Sequence, residues 1–147
     1  MKRLLFDVNV ILDILLDREP HSESASALWA AVERREASGF MPAHAVTTVH
    51  YLIQRERGMN VAHAAVRTIL EVLSVAPVDE VVLRGALALA WRDFEDAVCV
   101  EAARGADCDV IVSRDSKGFA NSPIPVIDAA AALVWLTSEE HDQEGSE

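Results

Sequence analysis

Arg3-Leu4-Leu5-Phe6-Asp7-Val8-Asn9-Val10-Ile11-Leu12-Asp13 opens the chain, and its reading decides the fold. Residues 3–7 form a short apolar run that ends in an acid. From Asn9 to Leu16 the apolar positions Val10, Ile11, Ile14 and Leu15 recur at helical spacing, so the stretch reads as strand, tight turn, helix. The alternation continues downstream. Ser22 or Ser24 caps a helix whose stripe is Ala27, Leu28, Ala31 and Val32, and residues 39–43 form a second short strand. Thr47 or Thr48 caps a third helix through Val49, Leu52 and Ile53, stopped by Gly58, and Asn60 caps a fourth over residues 61–73. Residues 75–78 return as a strand that Pro77 confines to an edge. Asp79 opens a helix to Leu89, and a further helix runs over 93–104 and stops at Gly105. Val110-Ile111-Val112 is the composition of a strand buried on both faces, residues 123–127 make a last edge strand, and 129–136 the final helix.

Short β-branched runs alternating with helices make an α/β fold, expected as a three-layer α/β/α sandwich around a central, mostly parallel sheet of four or five strands. Ligands in such sheets bind outside the carboxyl ends of the strands, where the connections diverge.

The 147 residues suffice for one domain, which should bury roughly two-thirds of the surface its unfolded chain exposes. Apolar residues make up 51% of the chain but aromatics only 5%, so the core is built mainly of Ala, Val, Leu and Ile. A net charge of −11 excludes a broad basic nucleic-acid surface, and any phosphate must be held by a few placed cations or by metal ions bridging carboxylates to it. Glu139, Glu140, Asp142, Glu144 and Glu147 concentrate part of this charge in residues 137–147, which read as a disordered acidic tail. Cys99 and Cys108 form no disulfide framework and no C-x-x-C pair, so they read as buried thiols. No apolar stretch of signal-peptide length fits before Asp7 and no run approaches a membrane-spanning length; the expectation is a cytoplasmic chain with no membrane partner.

Three acids stand where the chemistry of such a sheet belongs. Asp7 closes the first strand, Asp96 begins a helix and Asp115 follows the fourth strand. Carboxylates converging in a cleft repel one another unless a cation lies between them, and hard oxygen donors suit Mg²⁺ or Mn²⁺. Taken singly, Asp7 serves equally well as a helix cap and Asp96 as a complement to a helix N-terminus. Asp93 and Glu95 flank Asp96 as outer ligands or as a solvated first turn. Tyr51, Trp91 and Phe119 lie near these motifs and read as core, as do Trp29 and Trp135.

As an ordered set, Asp7-Val8-Asn9, Phe94-Glu95-Asp96-Ala97 and Ser113-Arg114-Asp115 resemble the PIN domain family, over residues 1–136. The resemblance implies a metal-dependent nuclease like the VapC-type toxin ribonucleases, with RNA as substrate, a homodimeric state and a small antitoxin protein as partner. Asp7, Asp96 and Asp115 would then hold one or two ions for phosphodiester hydrolysis, with Asp93 as a further ligand. Asn9 and Ser113 would orient water or phosphate, and Arg114, Lys117 and Arg18 would contact phosphates, with Arg55 and Arg57 as further candidates. The family also carries an acid in a Thr-x-x-Glu context, and Thr47-Thr48-Val49-His50 puts His50 at that place. Imidazole is a poor Mg²⁺ ligand, so this departure favours Mn²⁺ or a site with fewer carboxylates. Two rival readings remain open. One is a PIN-like module that binds RNA or protein without cutting. The other is an Asp-nucleophile hydrolase, which in its phosphatase form wants a second Asp where Asn9 stands.

Overall fold

The protein is described by a computed structural model covering residues 1–115 and 117–145, with residues 139–145 as backbone only. Its elements in chain order are β1 (Arg3–Phe6), α1 (Val8–Leu15), α2 (Ser22–Glu33), β2 (Ser38–Pro42), α3 (Ala43–Arg57), α4 (Met59–Val72), β3 (Ser74–Ala76), α5 (Glu80–Leu89), α6 (Phe94–Gly105), β4 (Val110–Val112), β5 (Val126–Ile127) and α7 (Ala129–Gly145). The five strands form one sheet in the order β3-β2-β1-β4-β5, and every pairing is parallel.

Alternation of side chains across the pleat splits the core into two. Leu4 and Phe6 of β1, Met41 of β2 and Val110 and Val112 of β4 pack with residues of α1, α2, α3, α4 and α7. Leu5, Phe40 and Ile111 face the other way and pack against Val82 and Ala86 of α5 and Ala97, Val98 and Val100 of α6. Helices thus cover both faces, as the alternating sequence requires. Gly39 marks a close approach between layers, since a Cβ there would stand 2.5 Å from Leu73 Cδ2.

The chain winds outward from β1 through β2 to β3, then crosses back to place β4 on the other side of β1. Leu5 of β1 therefore lies between Phe40 and Ile111. The order reverses at the β1/β4 boundary, and the crevice beyond their carboxyl ends is the switch point of the sheet.

Several element ends differ from the sequence reading. Helix α3 begins at Ala43, because Pro42 in extended conformation (φ −62°, ψ 142°) sits at the cap position, where its missing N–H costs no bond. The Thr47 and Thr48 hydroxyls donate instead to the His44 carbonyl inside the helix. Helix α4 begins at Met59, directly after Gly58 (φ +88°), rather than at an Asn60 cap. Gly105 lies inside α6, and the left-handed residue after that helix is Asp107 (φ +56°). Helix α7 passes Leu136 and runs to Gly145, so residues 137–145, expected to be disordered, continue the helix; their Glu and Gln are good helix formers and no Pro interrupts them. Ser146 and Glu147 lie outside the described residues. Among the described residues no helix is long and apolar enough to cross a membrane.

Candidate metal centre

Asp7 leaves β1 in extended conformation and caps α1, its side chain accepting the Val8 N–H at 2.9 Å. Its second oxygen accepts the Ser113 hydroxyl at 2.9 Å, across the β1/β4 boundary. The Ser113 oxygen in turn accepts the Asp115 N–H at 3.0 Å. One hydroxyl therefore couples the first acid to the loop that carries the last. Asp115 accepts the Gly118 N–H at 3.0 Å. Asp96 stands in the first turn of α6, its N–H donating to the cap Asp93 at 3.1 Å. Asp115 Oδ2 and Asp96 Oδ2 lie 2.5 and 2.8 Å from the point that a Cβ on Gly118 would occupy, so both oxygens face the same small space.

The electrostatics follow from this crowding. Burial pushes the Asp7 carboxyl up, the bonds from Ser113 and Val8 pull it back, and the charges of Asp115 and Asp93 push it up again. Asp96 is pushed up to about 7, first by burial and then by the charges of Asp93, Asp7, Asp115 and Glu95. A divalent cation held among these carboxylates would relieve this repulsion. Among the described residues no three Asp, Glu, His or Cys side chains form a ready-made cage. The donor set nonetheless fits Mg²⁺ or Mn²⁺, because Mg²⁺ keeps several waters and takes only one or two carboxylates from a protein.

The other sequence candidates fall in different places. Asn9 is exposed in the first turn of α1, and Lys117 lines a crevice of 740 Å³ together with Asp93, Asp96 and Asp115. The Arg114 guanidinium is engaged elsewhere, donating from Nε and Nη2 to the buried Asp13 carboxylate at 2.8 and 3.1 Å. His50 meets His63 of α4, Nε2 to Nδ1 at 2.9 Å. The histidine that α3 brings toward the acids is His44, in its first turn. Its Nε2 lies 4.0 Å from Glu95 Oε1 and 4.0 Å from Cys99 Sγ, and its Nδ1 is buried without a partner among the described residues. Burial holds its pKa below the usual value, against the pull of Glu95 and Asp7. Sequence reasoning missed His44, although it follows a strand end just as Asp7 and Asp115 do. It also missed Phe94, exposed in the crevice wall, and took as core Tyr51, which is exposed on α3. Cys99 and Cys108 are buried free thiols, as expected.

The fold is shared with several solved structures. The sarcin–ricin-loop-cleaving toxin VapC20 of Mycobacterium tuberculosis aligns with a TM-score of 0.66 at 18% identity, over 80% of this chain and 93% of that one. FitAcB from Neisseria gonorrhoeae aligns at 0.65 and 20% identity, over 86% and 97%. DNA-bound VapBC from Salmonella typhimurium aligns at 0.64 and 16% identity, over 88% and 99%. At such identities the likeness is one of fold. No curated protein matches the sequence. The model of one family, described as the PIN domain, matches residues 3–117, a span that takes in β1 to β4 and all three crevice acids. By that match the chain belongs to the PIN domain family.

Proposed function

We propose that this protein is a divalent-metal-dependent endoribonuclease and the toxin of a toxin–antitoxin pair. One observation carries the reading: Asp7, Asp96 and Asp115 gather at the switch point of the sheet, with Asp96 pushed up to about 7 by burial and its acidic neighbours. Asp7, Asp96 and Asp115 hold Mg²⁺ or Mn²⁺, with Asp93 at the rim. Such an ion, when bound, activates water and offsets charge on the scissile phosphate. Ser113 fixes the Asp7 carboxylate and, through the Asp115 N–H, the loop carrying Asp115. Asn9 orients water or a phosphate oxygen from the first turn of α1, and Lys117 contacts the RNA backbone. Arg114, tied to Asp13, keeps only its outer donors for phosphate. His50 is engaged with His63, so the ligand set rests on the acids.

RNA as substrate is supported by the family and by the fold shared with VapC20, a sarcin–ricin-loop-cleaving toxin. A small antitoxin is supported by the VapBC and toxin–antitoxin complexes among the similar structures. A homodimer is supported by Val81, Leu83 and Leu87, which leave α5 with exposed apolar side chains. RNA cleavage that needs Mn²⁺ or Mg²⁺ and falls more than about a hundredfold in Asp7→Asn is the expected result. Cleavage undiminished by chelator and equal in the variant would overturn the reading. Light scattering at tens of micromolar tests the dimer.

The second reading, binding without cutting, is favoured by His50 at the place where the family pattern carries an acid. RNA binding by the wild type with no cleavage in either metal would select it.

A further inference from the structure

The crevice beside the acids continues into a recess with its own chemistry. Trp91, Arg92, Phe94, Lys117 and Asn121 line it, and the whole crevice, acids included, holds 740 Å³, within the range of small-molecule sites, about 300–1,000 Å³. Phe94 is 45% exposed, although it opens α6 between two acids, Asp93 and Glu95. What sets this ring apart from the other exposed apolar side chains is its place on the wall of the crevice, where its face can take a planar group in stacking. The Trp91 ring stands edge-on to Phe119 (6.3 Å between centroids, 77° between planes), and Phe119 is 3% exposed, so Trp91 forms a wall backed by the core.

The charges of the recess point the same way. Arg34, Arg84, Arg104 and Arg114 are each paired with a carboxylate. Arg92 and Lys117, like Arg18, Arg35, Arg55, Arg57 and Arg67 elsewhere, have no ion-pair partner among the described residues, and of these cations they are the two that line the crevice with Asp93, Asp96 and Asp115. An occupant that suits an open aromatic face, a side-chain amide and two uncommitted cations, and that continues toward the acids, is a nucleotide.

We propose that this recess is a subsite for one unstacked nucleobase of single-stranded RNA. The base stacks on Phe94 against the Trp91 wall, Asn121 meets its polar edge, and Lys117 and Arg92 contact the flanking phosphates. The proposal rests on the ribonuclease reading and deepens it, by requiring a splayed base next to the cleaved bond. Duplex RNA cannot supply that base without unpairing.

The test is a coupling cycle on binding, which no failure of cleavage can mask. In an Asp7→Asn background with Mn²⁺ at fixed salt, labelled single-stranded oligoribonucleotides are titrated by anisotropy, intact and with one abasic position moved along the strand. Phe94→Ala should weaken the intact strand about tenfold, within the range of one base–aromatic stack. At one position the abasic strand should lose as much on the protein that keeps Phe94, and nothing more on the Phe94→Ala protein, while Phe94→Tyr retains the affinity. Lys117→Ala should weaken all strands alike and lower the salt dependence by about one counterion. Since Phe94 is exposed, melting temperatures should match, and Phe94→Leu serves as the second variant if the alanine protein is unstable. Equal affinity in Phe94→Ala, additive losses at every abasic position, or an effect of Phe94→Ala on self-association alone would overturn the subsite. The ribonuclease reading stands or falls separately, on metal-dependent cleavage by the wild type.

Discussion

Asp96 and Gly118 show how closely the crevice is tuned at the level of single residues. Asp96 has a pKa of about 7 in the fold against 3.8 in the unfolded chain, so the native state binds the proton more tightly. Stability from this group is full below pH 3.8 and is lost as pH rises toward 7. Without metal, Asp96→Asn should therefore melt higher than wild type above pH 7, and the advantage should shrink as pH falls toward 4. Calorimetric scans of both proteins from pH 4 to 8 check this, and comparing the pair cancels the opposite contribution of His44, whose lowered pKa destabilises the fold in acid. Gly118→Ala should displace one or both carboxylates, since its Cβ would stand 2.5 Å from Asp115 and 2.8 Å from Asp96. Mn²⁺ affinity measured by calorimetric titration should fall roughly tenfold or more, the scale seen when groups that orient metal ligands are disturbed. The three acids were legible in the sequence because each stands at the end of an element, where a local rule selects it. His44 obeys the same rule and was overlooked. The commitment of Arg114 was not legible, because its partner Asp13 lies 101 residues away and only the tertiary fold joins them.

That pair belongs to the scale of elements, since it fastens α1 to the loop after β4. Asp13 is 1% exposed and accepts from Nε and Nη2 of the guanidinium, so the helix capped by Asp7 and the loop carrying Asp115 are tied twice, here and through Ser113. Removing Arg114 strands the buried Asp13 carboxylate, since the Asp13 side chain is 1% exposed and that of Arg114 35%. Arg114→Met should therefore cost about 3 kcal/mol of stability in urea titration, whereas Asp13→Leu with Arg114→Met should recover most of it, because apolar pairs replace buried ion pairs well. Recovery of stability without recovery of Mn²⁺ affinity would show that the pair also positions Asp115. Element order and type were readable from periodicity, and Pro77 did mark an edge strand, β3. Boundaries failed where two signals competed: Pro42 overrode the Thr47 and Thr48 caps, and α7 ran on because nothing in residues 137–145 stops a helix.

Across the whole molecule, the net charge of −11 and the repulsion within the crevice make the metal-free fold less stable than its packing allows. A cation that binds only the native state removes part of that burden and adds its own binding free energy. At a hundredfold excess over its dissociation constant this linkage stabilises by about 2.7 kcal/mol. For a chain of this size each kcal/mol corresponds to roughly 2–4 °C, so Mn²⁺ or Mg²⁺ should raise the melting temperature by about 5–10 °C. Simple screening of the surface charge is the competing cause, and it acts without regard to the crevice. Monovalent salt matched in ionic strength should therefore give a much smaller shift, and Asp7→Asn should lose most of the divalent effect while keeping the monovalent one. Equal shifts from both salts, or an undiminished divalent shift in Asp7→Asn, would place the stabilisation on the surface and leave the three acids without a metal to hold.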